Sequence, residues 1–444
     1  MALGGGTFVE MDKTLAGAYI NTISAPKDVE LVGKRGVVAI AIEHSFGNQG
    51  EMLELTPKEF TNDSLIHLGY KLYDDKLKGL RELFANSSKV LLYVLNKTTK
   101  ASNSYATSKK GGTRGNEITI KVQTNVDEPN KKDVITMLDY TVIDKQTVKT
   151  AAELSDNALV VFKKDSNLEE TVGSKLSGGT DGTVTNAEHN DFLSRLETKY
   201  FNVISCMATT KQLQKLYIEY TRRMRNDIGK KIAVVLCEAS DIGSDANFYD
   251  FEGNIVVKNK VKGSSKNNEL VPFTSAIYAS VEYGKSNLNK EYTGEYEIIT
   301  DFTQYQLTDF IKQGRFVYHD VNGVKRVLED INGLVTVTDE KGAEFKENQV
   351  VRIVDELAKA DALVFNTMYL GKVNIDKAGI ESYKNKLIDI REKFVNDHAL
   401  VDFDRENLTV EKVEGVRGAI KVESAVTPAE CFRQLYLTNI VKTK

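Results

Sequence analysis

Lys231–Glu238 reads KIAVVLCE and Gly36–Ile42 reads GVVAIAI. In both, the apolar run is unbroken rather than alternating, the mark of a strand buried on both faces. VLLYVL at Val90–Leu95 is a third such run, and FNVIS at Phe201–Ser205 a shorter fourth. Helical patterns lie between them. In LTPKEF, Thr56 is placed as an N-cap with Pro57 at the first helical position. Leu77, Leu80 and Leu83 or Phe84 then form one apolar face. Thr185 caps a second helix carrying Phe192 and Leu196. From Lys211 to Arg225, residues Leu213, Leu216, Tyr217, Tyr220 and Met224 recur at helical spacing. Another helix is expected near Phe302–Lys312, followed by the short strands RFVYH and VKRVLED. Buried strands alternating with helices predict an α/β core with a mainly parallel sheet covered on both faces.

Working outward, the texture changes between Lys97 and Lys175. KTTKASNSYATSKKGGTRG is polar and loop-like, while EITIKV sets Ile118, Ile120 and Val122 on one side of a half-buried strand. VITMLDYTVIDKQTV and ALVVFKK continue in the same style, so this block reads as an all-β domain inserted at the surface of an α/β host. Beyond residue 344 two helices are expected. Ile353, Leu357, Ala360, Val364 and Met368 line one; Ile380, Tyr383, Leu387, Ile390 and Phe394 line the other. The β segments LTVEKV (Leu408–Val413), AIKVESAV (Ala419–Val426) and LYLTNIV (Leu435–Val441) follow, making a C-terminal α+β domain and a tail. At the other end, Met1–Lys27 holds a Gly-rich start and β-prone stretches up to Pro26, with no local partner strand. The predicted division is therefore an N-terminal arm 1–27, a small α/β part of the core 28–96, the inserted β domain 97–175, the α/β core domain 176–343, the C-terminal α+β domain 344–434 and a C-terminal arm 435–444. Both ends are β-prone, and a strand without a neighbour invites pairing with another chain.

Composition narrows the function. The 444 residues carry a net charge of −4, with 41% hydrophobic and 27% charged residues. That is enough apolar residue for several packed cores and gives no basic excess to favour nucleic acid or an anionic membrane. Three cysteines, Cys206, Cys237 and Cys431, lie far apart, which argues against a disulfide framework or a zinc site. No secretory leader or membrane-length apolar run is legible. The expected location is the cytoplasm.

The motifs that tempt a catalytic reading do not sustain one. GGTDG at Gly178–Gly182 lacks the GK[ST] of a phosphate loop and puts Asp181 where phosphate would be repelled, so it reads as a tight turn feeding a helix. Glu188, His189 and Asp191 lack metal-ligand spacing and suit a helix's first turn. Arg222, Arg223 and Arg225, extended by Lys230 and Lys231, read as a solvated helix end or an inter-subunit salt bridge. Cys206 and Cys237 read as buried apolar residues. No catalytic residue, cofactor site or metal site is predicted.

Several stretches, taken in order, resemble the tail sheath proteins of contractile phage tails and phage-tail-like R-type bacteriocins. They are FVEMDKTLAGAYINTIS (Phe8–Ser24) followed by RGVVAIAI (Arg35–Ile42); LSGGTDG (Leu176–Gly182) leading into FLSRLE (Phe192–Glu197); KIAVVL (Lys231–Leu236); and AIKVESAVTPAECFRQLYLTNIV (Ala419–Val441). The block 97–175 stands outside the resemblance. The resemblance implies a structural subunit, not an enzyme. It polymerises as hexameric rings around an inner tail tube protein, meets baseplate and tail-terminator proteins at the ends, and contracts to drive the tube through a bacterial envelope. It involves no cofactor, no nucleic acid and no membrane insertion. Arms donate strands between subunits. The residues expected in that exchange are Ala18, Tyr19, Ile20, Asn21, Thr22 and Ile23 in the first arm. Leu408, Val410, Ile420 and Val422 belong to the resident sheet. Leu435, Tyr436, Leu437, Thr438, Asn439, Ile440 and Val441 make up the second arm. Lys377, Lys384 and Lys386 are the expected tube-facing charges. The competing expectation is an α/β enzyme with a β lid domain, which gives no account of the two tails.

Overall fold

A computed structural model describes residues 35–243, 245 and 247–442. The core is a seven-stranded sheet in the order β14-β13-β12-β11-β1-β3-β2. Its first strands are β1 (Val37–Ile42), β2 (Met52–Leu55) and β3 (Lys89–Val94), with α1 (Pro57–Leu68) and α2 (Lys78–Phe84) between β2 and β3. The chain then leaves for the insertion: β4 (Lys100–Ser102), β5 (Ala106–Gly111), β6 (Ile118–Thr124), β7 (Lys132–Leu138), β8 (Thr141–Val148), β9 (Val160–Phe162) and β10 (Thr171–Lys175). It returns through α3 (Asn186–Leu196), β11 (Val203–Cys206), α4 (Lys211–Asn226), β12 (Ala233–Cys237), β13 (Asn254–Val257), α5 (Val271–Ser280), α6 (Gln304–Lys312) and β14 (Arg315–Phe316). Every pairing in the sheet is parallel except β2 on β3.

The unbroken apolar runs are explained by this arrangement. Val38 and Ile40 of β1 pack into the layer with Phe60, Leu80, Leu83 and Phe273 from α1, α2 and α5. Val37, Ala39 and Ala41 pack into the opposite layer with Phe192, Leu196, Tyr217 and Met224 from α3 and α4. The expected caps are present. Thr56 and Glu59 form a reciprocal capping box, as do Thr185 and Glu188. Each such cap contributes about 1 kcal/mol.

The insertion is two facing sheets, β10-β6-β7-β8 and β4-β5-β9. Ile118, Ile120, Val122, Val134 and Leu138 meet Ala106, Val160 and Phe162 between them. Phe46, from the segment after β1, joins this core and ties the insertion to its host. The glycine turn at 176–182 seals the return. Asp181 Oδ1 accepts from the Thr113 amide at 2.7 Å. A Cβ on Gly182, at φ +65°, would lie 2.3 Å from the Lys97 carbonyl oxygen.

A carboxyl of α2 buried against the 292–296 segment gives a pH expectation. Glu82 is 2% exposed, and its Oε1 accepts from the Glu295 amide (2.7 Å) and from the Tyr292 hydroxyl. Burial pushes its carboxyl up to about 7 despite those donors. A folded-state value above the unfolded one means the folded chain holds the extra proton between about pH 4.5 and 7. The associated stability is complete below that window and lost as pH rises through it, about 3 kcal/mol in all. Glu82→Gln should therefore match the parent in urea unfolding at pH 5. At pH 8 it should exceed the parent by about 2 kcal/mol.

After the hairpin β15 (Tyr318–Val321) and β16 (Val324–Val327) come α7 (Asn348–Val364) and α8 (Lys377–Asn396), then β17 (Leu408–Lys412) and β18 (Ile420–Ser424). Ile353, Leu357, Ala360 and Val364 are buried on α7, and Tyr383, Leu387, Ile390 and Phe394 on α8. Met368 corrects the expected stripe. Past Val364 the helix opens into a π-helical turn, Phe365–Tyr369, which turns Met368 out to 39% exposure. Residues 435–441 pair with nothing among the described residues and form no strand, because a strand exists only against a neighbour.

Three buried ion pairs fasten α7 to the core. Arg35, just before β1, meets Glu356 at 2.5 Å. Arg225, near the end of α4, grips Asp355 with both terminal nitrogens at 2.7 and 2.9 Å. Arg352 meets Asp330, beyond β16, at 2.8 Å. Arg225 is buried, so it is neither the solvated helix end nor the inter-subunit contact expected of it. Arg223 and Arg222 pair within the chain with Glu197 and Glu219.

Candidate functional site

β17 and β18 form a two-stranded antiparallel sheet, with Val410 opposite Val422 and Lys412 opposite Ile420. Flanking bonds fix which residues face each other through hydrogen bonds: the Val413 amide donates to Ala419 and the Ala425 amide to Asn407. Alternation then makes Thr409–Glu423 and Glu411–Lys421 the bonded pairs. The backbone groups of Val410 and Lys412 on one strand, and of Ile420, Val422 and Ser424 on the other, point out of the hairpin's two edges. The edge is less open at Leu408, whose amide donates to the Arg405 carbonyl.

The side chains of these outward-bonding residues turn toward α8. Leu408 and Val410 are buried there, Ile420 is half-buried and Val422 is exposed at the margin. The Asp376 side chain caps α8 through the Gly379 amide at 2.8 Å. Arg391 of α8 grips Asp361 of α7 through two contacts of 2.5 and 2.8 Å. The hairpin thus rests on a helix pair that is itself locked to the core.

The tail supplies the complementary feature. Leu435, Tyr436, Leu437, Ile440 and Val441 stand 70–88% exposed, with Thr438 and Asn439 also exposed. The tail's last anchors are the Cys431 amide on Gln349 Oε1 at 3.2 Å and Arg433 on Glu347 and Glu329. Ala18, Tyr19, Ile20, Asn21, Thr22 and Ile23 lie outside the described residues. The three lysines do not share a face. At about 100° per residue, Lys377 and Lys384 stand within about 20° of each other on α8 and Lys386 on the far side. Lys386 pairs with Asp389 at 3.0 Å.

Among the residues tested for chemistry, Glu188 caps α3 and pairs with Lys97, while His189 meets the Tyr217 hydroxyl at 2.6 Å. Asp191 accepts from the Tyr93 hydroxyl and from Arg195. Cys206 and Cys237 are fully buried. Among the described residues, no three His, Cys, Asp or Glu side chains converge as a metal site. Sequence reasoning missed the α7 anchors. Their one signal was Arg352, Asp355 and Glu356 at helical spacing among Ile353 and Leu357, on a helix buried almost all round.

A rigid body that carries an open hairpin and a strand-length apolar tail has the form of a structural subunit completed by other chains. The family comparison agrees in every domain. The models of the phage tail sheath protein β-sandwich domain, central domain and C-terminal domain match residues 96–181, 182–333 and 340–442. The chain belongs to the phage tail sheath family and is a structural protein, not an enzyme. The sheath tail protein of Desulfitobacterium hafniense is 30% identical over 95% of this chain and 99% of that one, with a TM-score of 0.82. The phage-like element PBSX protein XkdK of Bacillus subtilis is 28% identical over 98% of this chain and 99% of its own length. The helical sheath of the anti-feeding prophage in its contracted state shares the fold at 11% identity, with a TM-score of 0.54 over 96% of this chain. The β insertion lies within the family match, which corrects the expectation that it stood outside. Its alternating strands carry no motif by which to recognise it.

Proposed function

We propose that the chain is the subunit of a contractile tail sheath. Copies stack as hexameric rings into a helical cylinder around an inner tube protein, with baseplate and terminator proteins at the ends. The cylinder shortens and widens to drive the tube through a bacterial envelope. The observation that carries this is the pairing of an open β17–β18 hairpin with an exposed apolar tail on a tail sheath fold. The fold shared with a contracted helical sheath supports the contractile reading.

In this account Ala18–Ile23 of one neighbour and Leu435–Val441 of another add strands to the hairpin, joining the subunits into a mesh. The backbone bonds, each about 1 kcal/mol net, hold whatever the side chains do. Leu435, Leu437 and Val441 add packing and set the register. The ion pairs on α7 keep each body rigid, so motion between states falls to the arms. The inserted β domain, 97–175, lies at the outer surface and the C-terminal domain, 344–434, faces the tube. Assembly takes place in the host cytoplasm, before the sheath becomes part of a phage tail or a released bacteriocin particle.

Deleting Met1–Lys27 tests the account. Polymer should be lost in sedimentation while the thermal unfolding of the body is unchanged; an unaltered polymer would contradict arm exchange. Lys377 and Lys384 are proposed as tube contacts on one row of α8. Changing both to Gln should weaken co-assembly with the tube protein about tenfold and leave self-assembly intact, whereas Lys386→Gln should do neither.

A further inference from the structure

We propose that an apolar pocket at the Ile420 end of β18 is the socket that sets the register of a second copy's tail, by taking one side chain from its Leu435, Leu437 and Val441 row. The proposal rests on the strand-donation reading and adds the edge, the donor and the receiving site. The pocket has a volume of about 90 Å³ and is lined chiefly by Phe365, Tyr369, Leu370, Val373, Ile380 and Ile420. On the same measure a single water needs about 10–15 Å³, so there is room for an aliphatic side chain.

Its position selects the edge. The walls come from the π-helical turn, the loop after it, the first turns of α8 and the start of β18, with no residue of β17. Ile420 belongs to the row that faces α8. The pocket therefore continues the layer between hairpin and helix past the outer edge of β18. A strand added at that edge sets every second side chain into this layer. The rim is apolar and uncovered, with Leu370 57% and Val373 41% exposed. Along the tail, Leu435, Leu437, Asn439 and Val441 form one alternating row, and Tyr436, Thr438 and Ile440 the other. The first row carries three aliphatic side chains, which suit a pocket walled mainly by apolar groups, with Asn374 among the lining residues.

The geometry also points away from the chain's own tail. Arg433 is held by Glu347, at the N-terminal end of α7. The pocket lies past the other end, at Phe365, and the 17 residues of α7 span about 25 Å. Leu435 and Leu437 are two and four residues beyond Arg433, about 7 and 14 Å of fully extended chain. Neither reaches the pocket of its own body. Val441, eight residues on, has about 28 Å of extended chain but stands 88% exposed on its own body, so the occupant assigned is a second copy.

Disulfide trapping in full-length chains tests this, in a Cys431→Ser background because Cys206 and Cys237 are buried. Chains carrying Val373→Cys are mixed with chains carrying one cysteine in the tail, assembled and oxidised. Leu370→Cys serves as a second probe on the same rim. Linked dimers are expected from at least one of positions 435, 437 and 441, and none from 436, 438 or 440. Assembly without any link, or with links only to the second row, overturns the socket. The chain ending at Gln434 separates the two ideas. If it polymerises like the parent, strand donation by the tail falls and the socket with it. If it does not polymerise while the rim cysteines link to nothing, only the socket falls.

Discussion

Ending the chain at Gln434 should abolish polymerisation while leaving the unfolding free energy of the single subunit within about 0.5 kcal/mol of the parent. The removed side chains stand almost free of their own body: Leu435 is 85% and Val441 88% exposed. The anchors at Cys431 and Arg433 lie before the cut and survive it. What is lost lies between subunits. A donated strand of this length forms about five backbone hydrogen bonds, each contributing about 1 kcal/mol net. Burying its apolar row adds further stabilisation. About 5 kcal/mol per contact is more than a thousandfold in association. In a polymer every subunit loses it. Sedimentation velocity and urea unfolding of the same sample check both halves.

Asp330→Ala should cost about 3–5 kcal/mol of subunit stability, the largest effect expected of a single substitution. Asp330 is 5% exposed and accepts from Arg352 (2.8 Å), the Asn287 amide (2.8 Å) and Asn348 Nδ2 (2.9 Å). Arg352 is 1% exposed, and its Nε and Nη1 have no partner. Without Asp330 the guanidinium is an uncompensated buried charge. The double variant Asp330→Ala/Arg352→Met removes that charge and should recover much of the loss. A double variant no more stable than the single one would show that the network around Asn287 and Asn348, rather than the charge pair, is decisive.

The parts of the fold legible in sequence are those whose physics is local or periodic. KIAVVLCE and GVVAIAI betray burial on both faces, Thr56 and Thr185 announce helix starts, and Ile118, Ile120 and Val122 alternate as a sandwich strand must. The α7 joint is of another kind. Arg35 and Glu356 are brought together by the fold across 321 positions, and Arg225 and Asp355 across 130. Until the chain is folded, such charges look like any solvated pair. The lysines of α8 do not share one charged side: Lys384 and Lys386 are two residues apart and face about 160° apart. LYLTNIV was legible as strand material, but its partner is not in the described chain. The hairpin residues Leu408 and Val410 were singled out as exchange residues. Their side chains serve the chain's own α8, and only backbone groups remain to offer at the edge.

The most direct test of the central claim is electron microscopy of the full-length chain, alone and with its inner-tube protein. The account predicts striated tubes or stacked rings with six-fold end views, and a diameter that reports the extended or contracted state. Compact monomers in both preparations, at concentrations where the tube protein itself polymerises, would contradict it.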